Sequence, residues 1–200
     1  MSLVGKEASD FVTSAVLPDN SIIEKFSLRE RVRGKMAVLF FYPLDFTFVC
    51  PSEIIALDKK MSDFDARNTE VYAISVDSVF THHAYKETLV DKGGIGKVKF
   101  TMLSDLTKNI SRAYEVLTDD GVALRGTFII DKLGIIRHQS TNDLPFGRNI
   151  DEILRLIDAI IFQAENPGDV CPANWRKGSA SMKATQEGVV SYLQKHAGDL

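Results

Sequence analysis

Cysteine is scarce in this chain, which holds only two, Cys50 and Cys171, among its 200 residues. This number excludes a secreted scaffold built on disulfides, because such scaffolds need several bridges. A zinc site is not expected either, since the two cysteines and four histidines include no Cys-x2-Cys or His-x3-His grouping. Two isolated thiols are therefore either buried packing groups or chemically active ones.

The chain also lacks long apolar runs and any strong excess of one charge. No stretch approaches the roughly 20 apolar residues of a membrane span, and residues 1–10 lack the apolar segment of a signal peptide. A net charge of -3 provides no basic surface for nucleic acid. We therefore expect a cytoplasmic protein that binds neither nucleic acid nor membrane.

Strands and helices alternate along the chain, as the periodicity of its apolar residues indicates. An apolar content of 44% in 200 residues suits one well-buried core. The predicted strands cover 36–42, 71–76, 100–103, 122–130 and 134–139, and the predicted helices cover 51–67, 79–86, 106–114 and a segment from 150. The last two strands should pair as an antiparallel hairpin, because only a short turn separates them. We predict an α/β fold of three layers, with a mixed central sheet and helices on both faces.

The last fifth of the sequence differs in composition from the rest. It contains several prolines, glycines and serines before a helix-like segment over 182–195, and it carries Cys171. Its periodicity is poor for a core-forming element. We therefore predict a globular domain over 1–165 and an extended C-terminal arm over 166–200.

Cys50 follows the apolar run 36–42, which predicts a buried strand closed by Pro43. A helix should begin at once, because Pro51 suits the first helical position and Glu53 falls in the first turn, where the helix dipole favours an acid. Unpaired backbone N–H groups and the positive end of the dipole stabilise a thiolate, the reactive form of cysteine. Taken alone, Cys50 is equally consistent with a buried structural residue, since free cysteine is among the most buried residue types.

The residues around Cys50 favour a chemical role for it. Thr47 precedes it by three positions, so in a tight loop or a first helical turn its hydroxyl reaches the sulfur and can donate to, or accept from, a bound oxygen species. Pro43 should stiffen the loop, and Phe46 and Phe48 should shield the thiol from water. The pattern predicts a nucleophile.

The phrase Pro43-x-x-x-Thr47-x-x-Cys50 resembles the active-site motif of the peroxiredoxins. Four further segments are similar to parts of these enzymes: 124–131 to the strand of the active-site arginine, 170–175 to the segment around the resolving cysteine, and 93–96 and 143–148 to other family segments. The resemblance covers nearly the whole chain. On this basis the chain is identified as a member of the typical two-cysteine peroxiredoxins, and it is similar to the bacterial alkyl hydroperoxide reductase C subunits. It implies a thioredoxin-like fold with an extended C-terminal arm.

The resemblance also implies a role for each residue of the motif. Cys50 is then the peroxidatic nucleophile, which attacks peroxide as a thiolate and becomes a sulfenic acid. The implied supporting residues are Arg125, which stabilises the developing charge; Thr47, which orients the peroxide; Pro43, which excludes water; and Glu53 with Arg148, which hold Arg125 in place. The alternative for Arg125, Glu53 and Arg148 is an exposed position on the surface. A helix-capping role for Glu53 competes with its place beside the arginines, and both can hold at once.

Cys171 is the implied resolving thiol, which condenses with the sulfenic acid to form a disulfide. In the family pattern this bond joins the two subunits of a homodimer, and the spacing of the sequence leaves an intrachain bridge open. The first turn of the Cys50 helix is expected to unwind locally before the two sulfurs meet.

The implied activity is a thiol-dependent peroxidase of antioxidant defence and cell redox homeostasis, acting on hydrogen peroxide and organic hydroperoxides without a bound cofactor. Thioredoxin or a flavoprotein disulfide reductase would supply the electrons. Assembly as a homodimer, and further as a ring of five dimers, rests on the resemblance alone. Two other functions stay open: a disulfide oxidoreductase, which the absence of Cys-x-x-Cys disfavours, and a holdase chaperone.

Overall fold

The computed structural model describes residues 2–199, in two compact units, Met1–Ile150 and Asp151–Leu200. The functional division into residues 1–165 and 166–200 stays a prediction. The strands of the first unit are β1 (Val12–Val16), β2 (Ile22–Ser27), β3 (Met36–Phe41), β4 (Thr69–Ser75), β5 (Thr101–Ser104), β6 (Arg125–Ile130) and β7 (Ile136–Asn142). They form one sheet with the order β2-β1-β5-β4-β3-β6-β7.

Five helices connect these strands. They are α1 (Leu28–Arg31), α2 (Cys50–Asp58), α3 (Met61–Asp65), α4 (Val79–Glu87) and α5 (Asn109–Ala113), with a short 3-10 turn at Val90–Lys92. Ser78 caps the start of helix α4, because its hydroxyl accepts from the backbone N–H of Thr81.

Strand β3 delivers the chain to the Cys50 loop. All six of its residues are buried, and it pairs in parallel with β4 and antiparallel with β6. A strand covered on both edges and both faces needs an unbroken apolar run rather than an alternating one, which is what Met36–Phe41 supplies. The mixed sheet and the antiparallel β6–β7 hairpin confirm the predicted α/β architecture.

Three aromatic rings fix the end of β3. Phe41, its last residue, packs against Tyr114 and Phe128 with ring centroids 5.4 and 5.6 Å apart, and the latter two rings lie 5.0 Å from each other. All three side chains are fully buried. Burial contributes roughly 1.5–3 kcal/mol for a large side chain, so the cluster holds the strand end from which the loop departs.

Some predicted elements were wrong. The helix predicted over 51–67 is interrupted at Lys59 and Lys60, because Lys60 (φ -104°, ψ 6°) leaves the helical range while Met61 and Phe64 beyond it stay buried in α3. The N-terminal hairpin of β1 and β2 was not predicted. Its burial is uneven along each strand, so the sequence shows no clear alternation there. The predicted elements at 106–114 and 122–130 begin three residues later, at α5 and β6.

The second unit is mainly helical. It contains α6 (Ile150–Glu165), which starts at the unit boundary, a small antiparallel pair of β8 (Asp169–Val170) and β9 (Met182–Lys183), helix α7 (Gln186–His196) and a 3-10 turn at Ala197–Asp199. The strong helix predicted from 150 is confirmed, and the one predicted over 182–195 starts later because residues 182–183 pair with β8. Within residues 2–199, no helix combines the length and the apolar character that crossing a bilayer requires.

Candidate active site

Cys50 is the first residue of α2, and its side chain is buried, with 1% of its surface exposed. The chain leaves β3 at Phe41, passes through buried Tyr42 and Pro43, and crosses a short loop to α2. Pro51 lies in the first turn, where its missing N–H costs no hydrogen bond. The predicted strand-to-helix turn is confirmed, and it places the sulfur at the N-terminus of α2.

The hydroxyl of Thr47 lies 3.0 Å from the sulfur of Cys50 and 2.8 Å from the carbonyl oxygen of Leu44. A hydroxyl carries one proton and two lone pairs. It therefore donates to a thiolate, or it donates to Leu44 while accepting from a neutral thiol or a hydroperoxide. The structure brings Thr47 and Cys50 together as the spacing of three residues predicts.

Arg125 begins β6, the strand that pairs with β3, and only 3% of the residue is exposed. Its Nη1 atom lies 3.5 Å from the sulfur of Cys50, while its Nε donates to the carbonyl oxygen of Leu144 at 2.8 Å. Glycine follows at position 126 because a Cβ atom there would lie 2.7 Å from a methyl carbon of Val116. The buried guanidinium excludes the alternative of a surface arginine and places a fixed positive charge beside the thiol.

Glu53 lies between Arg125 and Arg148. Its Oε2 accepts from Nη1 of Arg125 at 2.7 Å and from Nη2 of Arg148 at 3.0 Å, and its Oε1 accepts from Nε of Arg148 at 2.8 Å. Burial alone would raise the pKa of Glu53, but the hydrogen bonds and charges of the two arginines hold that pKa below its ordinary value of 4.5. The carboxylate is therefore ionised at neutral pH and fixes both guanidinium groups, which is more than the alternative of helix capping requires.

Arg148 is itself fixed by the sheet. Its Nη1 donates to the carbonyl oxygen of Gly126 at 2.8 Å and to the hydroxyl of Thr127 at 3.2 Å. Its guanidinium carbon lies 3.2 Å from the centroid of the Phe40 ring, a cation–π contact. Arg148 therefore anchors Glu53, and through it the arginine that faces the sulfur.

The residues expected to shield the thiol differ in their exposure. Pro43 is buried, and its role in keeping water from the sulfur stays a prediction. The ring of Phe46 packs on Tyr85 with centroids 4.6 Å apart and is 49% exposed, but Phe48 is 96% exposed, so the prediction that Phe48 shields Cys50 was wrong. The left-handed backbone of Phe46 (φ 52°) redirects the loop and leaves Phe48 on its outer side.

Cys171 lies in the second unit, directly after β8, and is half-buried. Its thiol points to the carbonyl oxygen of Ala159 in α6, at 3.8 Å. Burial raises the pKa of Cys171, and the nearby charge of Arg155 opposes that rise without cancelling it. Arg155 also donates to the carbonyl oxygen of Trp175 at 2.8 Å, and the Trp175 ring packs on Phe162. Both cysteines are free in this structure.

Comparison with known families decides where the chain belongs. The model described as the AhpC/TSA family matches residues 4–139. The chain belongs to the AhpC/TSA family. A second model, described as the C-terminal domain of 1-Cys peroxiredoxin, matches residues 159–195.

Relatives of this AhpC/TSA chain match nearly its whole length. It is 52% identical over 196 residues to alkyl hydroperoxide reductase C of Buchnera aphidicola, covering 98% of each chain. It is 51% identical to the mitochondrial thioredoxin-dependent peroxide reductase of Drosophila melanogaster, covering 96% of this chain and 82% of the relative. The crystal structure of reduced 2-Cys peroxiredoxin from Plasmodium vivax has a TM-score of 0.93 and 54% identity, covering 97% of this chain and 100% of that one. The thioredoxin-like fold of the peroxiredoxins is therefore confirmed.

One cluster of chemically capable residues in this AhpC/TSA chain was not predicted. Asp45, Asp77 and His82 each place one ligand atom within 4.8 Å of the others, the geometry that a metal ion could use. Sequence spacing did not reveal the group, because His82 lies 37 residues from Asp45. The signal that was present is a single charged residue, Asp45, in the loop 43–49.

Proposed function

We propose that this AhpC/TSA chain is a thiol-dependent peroxidase that reduces hydrogen peroxide and organic hydroperoxides. The setting of the Cys50 sulfur carries the proposal, since it is buried at the start of α2 with the Thr47 hydroxyl at 3.0 Å and Nη1 of Arg125 at 3.5 Å. Donors on two sides of a thiolate can also bind the two oxygens of a peroxide as their bond stretches. The names of the relatives, an alkyl hydroperoxide reductase and a peroxide reductase, agree with this reaction.

In the proposed reaction the thiolate of Cys50 attacks one peroxide oxygen, so that an S–O bond forms while the O–O bond breaks. Water or an alcohol leaves after taking up one proton, and Cys50 becomes a sulfenic acid. The thiol of Cys171 then attacks the sulfenic sulfur, which forms a disulfide and releases water. Two electrons and two protons from a dithiol protein restore both thiols, so no bound cofactor is required.

The supporting residues act on charge and position. Thr47 orients the peroxide, and Arg125 stabilises both the thiolate and the negative charge on the leaving oxygen. Pro43 keeps water from the sulfur. Glu53 and Arg148 hold Arg125 through the ion pairs at 2.7 and 2.8 Å, so its guanidinium does not have to reorganise during the reaction.

The partners follow from the two-thiol cycle. The disulfide is proposed to join two subunits of a homodimer, with a ring of five dimers as the larger assembly. Thioredoxin or a flavoprotein disulfide reductase would return the electrons, and the name of the Drosophila relative supports testing thioredoxin first. The proposed setting is antioxidant defence and redox homeostasis in the cytoplasm.

Non-reducing electrophoresis after one equivalent of hydrogen peroxide tests the cycle, with wild type, Cys50→Ser and Cys171→Ser compared. The wild type should give a dimer band that both variants lack, and Cys50→Ser should no longer consume peroxide. Unchanged peroxide consumption by Cys50→Ser would refute the peroxidase mechanism. An oxidised wild type that stays monomeric would refute only the intersubunit disulfide.

A further inference from the structure

The loop that carries Thr47 enters α2 through a strained residue. Phe46 has a φ of 52°, a conformation that residues with a bulky side chain rarely adopt. Such a residue persists only where its surroundings fix the backbone. The contacts that fix Phe46 therefore also set the position of Thr47, one residue further along the chain.

Asp45 is the anchor on the N-terminal side of Phe46. Its carboxylate, almost fully buried, accepts from the hydroxyl of Tyr42 at 2.7 Å and lies 2.7 Å from Nδ1 of His82. His82 is fully buried in α4, and its Nε2 lies 3.2 Å from the carbonyl oxygen of Leu103 in β5. Both carboxylate oxygens are engaged, so any rotation of Asp45 would leave buried polar groups unpaired.

The backbone of Asp45 is held as firmly as its side chain. Its N–H donates to Oδ2 of Asp77 at 2.9 Å, and the same oxygen accepts from the hydroxyl of Ser75 at 2.6 Å. On the next residue, the ring of Phe46 packs against Tyr85 of α4. The loop is thus clamped to β4 and α4 immediately before Thr47.

We propose that Asp45 and His82 are positioning residues for peroxide reduction. They fix the loop so that the hydroxyl of Thr47, 3.0 Å from the sulfur of Cys50, meets the bound peroxide at hydrogen-bond distance. They act through Thr47 rather than on the substrate. The inference rests on the proposed peroxidase function and extends its machinery to α4.

A metal ion is the competing interpretation of this cluster. A metal ion would need the free lone pair of a neutral imidazole nitrogen, but Nδ1 of His82 lies 2.7 Å from Oδ2 of Asp45, a distance at which the two atoms share a proton. An ion would have to break the hydrogen bonds that hold the loop. The observed contacts therefore favour positioning over ligation.

Two rate constants of the full-length reduced protein separate positioning from general damage. The first is oxidation of Cys50 by hydrogen peroxide, followed by quenched flow and mass spectrometry. The second is alkylation of Cys50 by iodoacetamide across the pH range, which depends on the thiolate and not on peroxide orientation. Both rate constants are compared at the high-pH plateau of alkylation, where every Cys50 is a thiolate. Asp45→Asn and His82→Asn should each lower the first about tenfold or more, the scale on which small misplacements act, while the second stays within about twofold. The control His83→Asn, on the same helix, should change neither.

A double-substitution cycle tests whether the effect passes through Thr47. In a Thr47→Val background, Asp45→Asn should lower the peroxide rate constant by less than about twofold more, because the group it positions is already gone. A full additional tenfold loss would overturn the proposal, as would a parallel fall of alkylation and peroxide oxidation. Stoichiometric Zn²⁺ binding that Asp45→Asn abolishes would overturn it in favour of a metal site.

Folding of each variant is checked by circular dichroism and thermal unfolding. If Asp45→Asn does not fold, Tyr42→Phe replaces it. That change removes only a hydroxyl, which contacts Oδ1 of Asp45 at 2.7 Å and Nδ1 of His82 at 3.4 Å, and it should produce a smaller loss in the same direction. A wild type that does not react with peroxide refutes the proposed function itself. A wild type that reacts rapidly, with Asp45→Asn and His82→Asn equal to it, refutes only the positioning role.

Discussion

Around Cys50, hydrogen-bond donors converge on a buried sulfur, with the Thr47 hydroxyl at 3.0 Å and Nη1 of Arg125 at 3.5 Å. Around Cys171, the polar contact is an acceptor, the carbonyl oxygen of Ala159 at 3.8 Å, and burial raises the pKa of the thiol. Hydrogen-bond donors stabilise the negative charge that develops on the reacting atoms, which a carbonyl acceptor cannot do. The difference supports assigning the attack on peroxide to Cys50 and the later condensation to Cys171.

The two settings are also built differently. The surroundings of Cys50 depend on residues distant in sequence, since Arg125 lies 72 positions from Glu53 and Arg148 lies 95 from it. The surroundings of Cys171 come from its own arm and α6, through Arg155 and the segment to Trp175. Substitutions in the first group should change the reaction with peroxide, and those in the second group should leave it intact.

Among the substitutions that distinguish the two cysteines, removal of the positive charge of Arg125 should have the largest effect. Arg125→Met should lower the rate constant for Cys50 oxidation by hydrogen peroxide about 10²–10³-fold, the scale for losing one charged donor at an active site. Stopped-flow kinetics measure it. Arg137→Met is the matched control, because that arginine lies on β7 with 45% of its side chain exposed. A loss of less than about threefold in Arg125→Met would contradict the role of the guanidinium.

Glu53→Gln should destabilise the fold by removing the ion pairs of Glu53 with Arg125 and Arg148. At neutral pH the free energy of unfolding should fall by about 3 kcal/mol, because two buried arginines lose their counter-ion. The pKa of Glu53 in the folded chain lies below 4.5, so the stabilisation is complete above 4.5 and is lost as the pH falls through the folded-state pKa. Urea unfolding at several pH values should therefore show the gap between wild type and variant closing in acid. The exposed Glu24→Gln serves as control, and a gap independent of pH would refute the ion pairs.

Substitution of Thr47 separates its hydroxyl from its shape. Thr47→Val keeps the volume and should lower the peroxide rate constant about tenfold or more, whereas Thr47→Ser keeps the hydroxyl and should stay within about threefold of wild type. The same stopped-flow measurement compares them. Equal losses in both variants would assign the effect to packing instead of hydrogen bonding.

The smallest expected effect lies on the Cys171 side. Arg155 opposes the raised pKa of Cys171, so Arg155→Met should shift that pKa further upward and slow alkylation of Cys171 at a fixed neutral pH. Oxidation of Cys50 by peroxide should not change. Mass spectrometry of iodoacetamide-labelled peptides measures both, with the exposed Lys177→Met as control for loss of one positive charge in the arm. Faster alkylation of Cys171 in Arg155→Met would contradict this prediction. It would show that losing the contact between Arg155 and Trp175 exposes the thiol, and that this exposure outweighs the loss of the positive charge.

The turn around Cys50 was predictable because its signals are local. An unbroken apolar run predicts β3, and Pro51 with Glu53 predicts the start of α2. The break at Lys60 was not predictable from periodicity, since the buried positions on both sides of it keep helical spacing. The exposure of Phe48 was not predictable either. It follows from the positive φ of Phe46, a conformation that phenylalanine rarely adopts unless contacts such as its packing on Tyr85 stabilise it.

The candidate site was predictable only in part from the residues themselves. Thr47 and Cys50 are three positions apart, so their contact follows from spacing. The approach of Arg125, Glu53 and Arg148 joins distant segments, and only resemblance to a family suggested it before the structure placed them together. The contact between Asp45 and His82 joins the loop to α4. These two residues are too far apart in the sequence for their spacing to predict it.

Trapping of sulfenic acid tests most directly the assignment of the peroxide reaction to Cys50. Full-length reduced Cys171→Ser and Cys50→Ser are treated with one equivalent of hydrogen peroxide in the presence of dimedone, and the adducts are located by peptide mass spectrometry. We predict a rapid adduct on Cys50 in Cys171→Ser and none on Cys171 in Cys50→Ser at the same time point. Labelling of Cys171 as fast as that of Cys50 would contradict the assignment.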